Sequence, residues 1–270
     1  MSAPPKIGLG CVTFGREIDE AASYALLDHA WGRGVRHFDT AAAYGGGASE
    51  TILGKWLASR KPEGVTIATK ILPPYDRTDI SPSLKRLGVE QLDLLYLHQW
   101  HDTALQLHAS LDGLAVKQFG ASNFTLEQLR AVGSRFTVVQ NNHNLAVSDV
   151  NDEFRAHCAV NGISIITYSP LGAGFLTSKH QNGVQTGSRF EIIPGHQQIY
   201  FHESAYQRLA RLEAIAKRTG HSQAHLALAW ALHQPGIDTV LIGGRSPAHL
   251  DQAFAALDFD DETILNQLIS

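Results

Sequence analysis

The chain has 270 residues, 44% of them apolar and 18% charged, with 22 basic and 26 acidic side chains for a net charge of −4. That balance, with an isoelectric point near 6.4 and no run of Lys or Arg, argues against nucleic acid as a partner. No stretch reaches the ~18 apolar residues of a membrane-spanning helix, and the opening "MSAPPKIGLG" holds no apolar core of signal-peptide length. Cys11 and Cys158 are too few for a disulfide framework, so a cytoplasmic location is expected.

Short apolar runs alternate with helical patterns from end to end. A strand is predicted at 6–12, followed by a helix at 19–32 with Asp19 as its N-cap and Gly32 as its stop. The second strand, 35–40, leads to a helix at 49–58, and the third covers 65–70. Strands at 92–98, 117–122 and 136–142 precede helices at 103–114, 125–132 and 151–161, the last stopped by Gly162. The seventh strand, 163–169, runs into the longest irregular segment, roughly 171–203, a length that marks a functional or mobile loop. Helices at 204–219, stopped by Gly220, and 222–232, capped by Ser222, lead to the eighth strand at 238–244. A helix follows it directly, and a final short one is expected at about 261–269. Eight strand–helix units without a dividing linker predict an α/β fold, a closed (β/α)8 barrel forming a single domain over 1–270. The rival, an open dinucleotide-binding sheet, needs a glycine fingerprint, and "GLGCVTFG" at 8–15 has the wrong spacing.

In such a barrel, chemistry collects where strands run out into the following loops. Strand 2 ends at Asp39 with Tyr44 just beyond, strand 3 at Lys70 and strand 4 at His98. Singly, each has a plainer reading: a turn former, a half-buried aromatic, a solvated strand end, a polar cap. Together they form a working set. A buried Lys beside a phenol lowers the phenol's pKa, and an Asp keeps that Lys charged. A neighbouring His can orient a carbonyl or share the proton. The expectation is a Tyr44 tuned as an acid or base near neutral pH.

The stretches "FDTAAAYG", "TK" at 69–70 and "YLHQW" at 96–100 resemble the signatures of the aldo-keto reductase superfamily, and the likeness extends over nearly the whole chain. It implies NADP(H) as cofactor, Tyr44 as proton donor, Lys70 and Asp39 as its tuning pair, and His98 as the group aligning a carbonyl. It also places Ser122, Asn123 and Gln140 at the nicotinamide carboxamide, and Tyr168 as a platform under the ring, where the plainer view makes it a core aromatic. Ser169, Pro170, Leu171 and Leu176 are expected at the cofactor, where Gly172 and Gly174 would let backbone N–H groups approach a pyrophosphate, with Gly10, Cys11 and Val12 at the end of strand 1. Ile242, Gly243 and Gly244 lead into a helix whose first turn suits an anion. By the same resemblance Arg245 and His249 meet a 2′-phosphate and Gln252 faces the adenine, with Lys179 and Arg189 as further clamps. Thr13, Phe14, Tyr75 and Trp100 are the expected substrate walls; being neutral, they offer no charged anchor.

The chain departs from that pattern in places. Gln252-Ala253 replaces a Glu-Asn pair, which implies a looser hold on the adenine; the stretch from His98 to Gly120 is short, and no hairpin precedes the first strand. The expected activity is hydride transfer between the nicotinamide and an aldehyde, ketone or sugar carbonyl, in a monomer or weak homo-oligomer. One alternative is a non-catalytic NADPH-binding regulatory barrel. Another, a metal-dependent hydrolase, lacks ligand spacing: His221 and His225 sit in "HSQAH", without a zinc-protease glutamate.

Overall fold

The computed structural model describes residues 6–75, 80–109, 113–180 and 183–269. Eight strands, β1 (Ile7–Gly10), β2 (His37–Asp39), β3 (Thr66–Ile71), β4 (Leu92–Leu97), β5 (Val116–Ser122), β6 (Val138–Asn142), β7 (Ser164–Tyr168) and β8 (Thr239–Gly243), pair in parallel and in sequence order. β8 closes on β1, with Gly10 opposite Gly243. The (β/α)8 barrel anticipated from the alternating pattern is therefore the fold, and each predicted strand contains the observed one or overlaps it closely.

Inward and outward side chains alternate along every strand. Ala68, Leu94, Tyr96, Val138, Ile166 and Leu241 fill the barrel, with Tyr168 packed against them. Leu9, Phe38, Ile67, Leu95, Val139 and Val240 face outward into the larger core shared with the helices. Gly120 makes room for Tyr96: a side chain at that position would overlap the tyrosine ring.

The helices begin where short polar side chains can take up the first free N–H groups. Asp19 accepts from the amide of Ala22 at 2.8 Å ahead of the helix Glu20–Gly32, and Asn151 from that of Phe154 at 2.8 Å. Thr125 and Gln128 form a reciprocal capping box. Ser222 caps the helix Gln223–Leu232, and Gly220 (φ +77°) terminates Glu203–Thr219. Two expectations change. The helix expected at 103–114 is a 3₁₀ segment over Asp102–Ala109, and residues 110–112 lie outside the described residues. An unforeseen helix, Ser81–Leu87, covers the β3–β4 crossover, opened by Pro82.

The segment after β7 is not irregular. It contains short helices at Arg189–Ile192 and Gly195–Tyr200, held by Phe175, Phe190, Tyr200 and Phe201, whose rings lie 4.9–5.9 Å apart. The Tyr200 hydroxyl reaches the buried amides of Asn142, the last residue of β6, and Asn144 just beyond it, at 3.1 and 3.4 Å. Among the described residues, no helix is long and apolar enough to cross a membrane.

Candidate active site

β2 ends at Asp39, and the chain then drops into a 3₁₀ turn at Tyr44–Gly47 that swings the phenol over the barrel mouth. β3 brings Lys70 up beside it. The Lys70 ammonium is sealed from solvent; it donates to the Asp39 carboxylate, to the Thr40 carbonyl at 2.9 Å and to the Tyr44 hydroxyl at 3.4 Å. Asp39 accepts a further bond on its other oxygen from Nε2 of Gln140, at 2.8 Å. His98, just past β4, meets the Tyr44 ring edge-on, with centroids 5.7 Å apart. The four residues read from strand ends thus form one cluster.

Their electrostatics differ in one respect from the sequence expectation. Burial would discharge Lys70, but the Asp39 charge and then Tyr44 more than offset it, so its pKa stands above the ordinary 10.5. Burial also acts on Tyr44, and here it prevails: Lys70 pulls the phenol pKa down, yet the net shift is upward from 10. The phenol is therefore held protonated at neutral pH, not tuned toward neutrality. Counting charges foresaw the Lys70 contribution but not the cost of desolvating a phenolate. His98 is lowered to about 4, first by burial and then by Lys70, and stays neutral. Its Nδ1 is buried without a partner.

Asp39, Tyr44 and His98 line a cavity of about 740 Å³ over the barrel mouth, and Lys70 is buried behind them. The same wall includes Gly10, Val12, Ser122, Asn123, Gln140, Tyr168, Ser169, Pro170, Leu171 and Gly174, together with Lys179, Arg189, Ile242, Gly243, Gly244, Arg245, His249 and Gln252. Thr13 is there too, its hydroxyl donating to the Gly244 carbonyl at 2.8 Å. At the paired strand ends Gly10 and Gly243, a Cβ would meet no protein atom nearer than 3.9 Å, so the floor is open where any side chain would fill it. Asn123, at φ +61°, donates to the His98 carbonyl at 2.9 Å and accepts from the Tyr168 hydroxyl at 2.6 Å, tying platform to catalytic cluster. Ser246 opens the helix Pro247–Leu257 without a capping bond from its side chain, beside Arg245 and His249. Such an uncapped helix start favours a bound anion.

Other expected contacts turn away from the cavity. Cys11 is buried, with its thiol toward the Leu9 carbonyl, and Gly172 and Leu176 are enclosed beneath the β7 loop. Of the expected substrate walls, Phe14 is core, Tyr75 is buried with its hydroxyl on the Gln99 carbonyl at 2.9 Å, and Trp100 packs edge-on against Phe124 at 5.2 Å. Ala253 is fully buried, so an Asn there would enter the core rather than reach an adenine. Arg245 donates to the Gly187 carbonyl at 2.9 Å, pinning the long loop. The sequence reading missed Arg16 and Glu17, which also line the cavity; "GREID" after β1 was the available signal. His221 and His225 stack on each other and meet Phe259 edge-on, and among the described residues no group of three metal-ligating side chains converges.

A closed (β/α)8 barrel with this Asp–Tyr–Lys–His cluster at its C-terminal mouth defines a class of barrel enzyme. The particular family follows from comparison: residues 6–265 match the aldo/keto reductase family, and the chain belongs to it. It is 32% identical to a probable aldo-keto reductase of Glycine max, covering 93% of this chain and 80% of that protein. It is 31% identical to the aldo-keto reductase YhdN of Bacillus subtilis, over 91% and 83%. Among solved structures it superposes on a glycerol dehydrogenase from Gluconobacter oxydans with a TM-score of 0.74 at 22% identity, covering 100% and 93% of the two chains. An aldo/keto reductase from Klebsiella pneumoniae, solved with NADP and acetate, gives 0.72 at 24% identity over 99% and 91%.

Proposed function

We propose that the whole chain works as one domain, an NADP(H)-dependent oxidoreductase that interconverts an aldehyde, ketone or sugar carbonyl with its alcohol. The observation that carries this reading is the Tyr44 hydroxyl, 3.4 Å from the Lys70 ammonium, at the edge of a cavity of about 740 Å³. The glycine floor and the uncapped helix start fit a dinucleotide, and the matched Klebsiella pneumoniae protein was solved with NADP. Gly10, Val12, Gly243 and Gly244 would lie along it, with Arg245, His249 and Lys179 toward its phosphate end and Gln252 beyond. Ser122 keeps a hydroxyl hydrogen to donate, and Gln140, whose Nε2 serves Asp39, keeps Oε1 to accept. That pair complements a carboxamide.

When bound, NADP(H) supplies or removes the hydride at the carbonyl carbon. The chain handles the proton. Tyr44, protonated at neutral pH, donates from Oη to the substrate oxygen, and Lys70 stabilises the phenolate left behind. Neutral His98 presents Nε2 to the same oxygen and fixes its direction. Asp39 holds Lys70 charged.

The test is a panel of carbonyls and alcohols followed by NADPH absorbance, on the native protein and Tyr44→Phe. Loss of the positioned acid should cost ~10²–10⁴-fold in kcat, with NADPH binding retained. A variant that keeps most of its kcat would remove Tyr44 as proton donor. A native protein that binds NADPH but turns nothing over would leave the regulatory barrel.

A further inference from the structure

The helix Ala48–Arg60 continues directly from the Tyr44–Gly47 turn, and its first turn carries two fully buried polar side chains, Ser49 and Glu50. The scheme above uses neither, and neither lines the cavity. Their partners are the threonines next to the buried ion pair. Ser49 donates to the Cys11 carbonyl at 2.8 Å, which makes the Thr40 hydroxyl, also 2.8 Å away, the donor to Ser49. Thr40 follows Asp39, and its carbonyl accepts from Lys70 at 2.9 Å. Thr69 precedes Lys70 on β3 and donates its hydroxyl to Oε1 of Glu50 at 2.5 Å. Oε2 of Glu50 accepts from Nε of Arg86 at 2.7 Å. Arg86 in turn lies against the Tyr44–Gly47 turn: a Cβ on Gly47 would stand 2.8 Å from its Cδ.

Packing alone does not call for this arrangement. Glu50 is 0% exposed, and an apolar side chain of similar volume would fill the same space without losing hydration. What the carboxylate and hydroxyls add is direction, because hydrogen bonds fix the distance and angle between the elements they join. They tie one helix to the end of β1 through Cys11, to the end of β2 through Thr40 and to β3 through Thr69. The tied helix begins where the Tyr44 turn stops. Tyr44 and Lys70 are thereby held in one frame across their 3.4 Å contact.

We infer that Glu50 and Ser49 are positioning residues for the reaction: through Thr69 and Thr40 they set, from outside the barrel, the separation of the Lys70 ammonium from the Tyr44 hydroxyl. This rests on the reductase reading and deepens it. Thr69 is the arm by which Glu50 acts on Lys70, its neighbour on the strand.

The experiment compares Thr69→Val, which removes the hydroxyl at nearly constant volume, with Thr69→Ser, which keeps it. Thr69→Val should lower kcat roughly 10- to 100-fold, the range for a reacting group misplaced by ~1 Å, with carbonyl KM and NADPH affinity little changed. Thr69→Ser should retain most of the native kcat. Glu50→Ala should match Thr69→Val, and the double variant should lose no more than Glu50→Ala alone, because both cut one link. The phenol is faced by Lys70 from β3, Asp39 from β2 and His98 beyond β4, and the Arg189 charge also reaches it; only Lys70 adjoins the substitution. A retreating ammonium pulls less on the phenol, so the Tyr44 limb of kcat/KM for alcohol oxidation should move up by ~0.5–1 pH unit in Thr69→Val. An unchanged kcat in Thr69→Val, or equal losses in Thr69→Val and Thr69→Ser, overturns the inference. So does a lower Tm with kcat and the pH limb at native values, which would assign the network to stability alone. If the native protein turns over no carbonyl or alcohol, the reductase reading fails separately. Crystal structures of the native protein and Thr69→Val then decide, with a wider Lys70–Tyr44 separation in the variant supporting the tie and an unchanged one ending it.

Discussion

Replacing Lys70 by Met tests the buried pair beneath Tyr44 with almost no change of volume. Lys70 is 1% exposed and Asp39 2% exposed, so the substitution strands a carboxylate inside the barrel. Asp39 keeps its bond from Gln140 at 2.8 Å but loses its ion-pair partner. Breaking one partner of a buried ion pair costs about 3–5 kcal/mol. In a chain of this size each kcal/mol moves Tm by ~2–4 °C, which sets the expected fall at roughly 6–20 °C. Removing the stranded charge as well, in Lys70→Met with Asp39→Asn, should recover much of that loss. The pH dependence follows from the raised Lys70 pKa: its stabilisation is complete below 10.5 and disappears as pH climbs through the higher folded value. The native protein should therefore weaken toward strong alkali through this pair, and Lys70→Met should lack that component. Differential scanning calorimetry across pH measures all three proteins. A drop under 2 °C, or a double variant no better than the single, would refute the argument.

His98 should titrate near 4 rather than 6.5 when its imidazole signals are followed by NMR. Because the folded protein resists that proton, His98 should reduce stability as pH falls from about 6.5 to about 4, with no further loss below; a midpoint near 6.5 would contradict its burial beside Lys70. Arg245→Ala should weaken NADPH roughly 10- to 100-fold by fluorescence titration and NADH much less. Equal losses for both cofactors would reduce Arg245 to its Gly187 contact.

The barrel was legible because each strand is a short apolar run bounded by turn residues, and a parallel barrel repeats that unit without exception. Asp39, Lys70 and His98 were legible for a related reason, since residues at strand ends inherit their direction from the sheet, whereas Tyr44 was legible only through its motif. Loop side chains inherit nothing comparable. Phe14, Tyr75 and Trp100 all follow strands closely, yet each turns into packing, which sequence proximity does not reveal. The Glu17–Arg189 pair was hidden because its partners meet only through the long loop's fold. The Ser81–Leu87 helix, at seven residues, is too short to show a period. Cys11 illustrates the same limit within a site motif: its neighbours Gly10 and Val12 face the cavity while its thiol faces the core.

The contact between Tyr96 and Gly120 links two positions that lie side by side on adjacent strands. One barrel layer holds a fixed volume, and these two positions divide their share of it between a large ring and no side chain at all. Position 120 is therefore closed to every other amino acid while 96 remains aromatic. Position 96 can shrink alone, but only by opening a void of the kind that costs ~3–5 kcal/mol when an aromatic ring is cut to Ala. Sequence drift through this layer thus has a direction: the ring must go first, and only then does a side chain at 120 become an improvement.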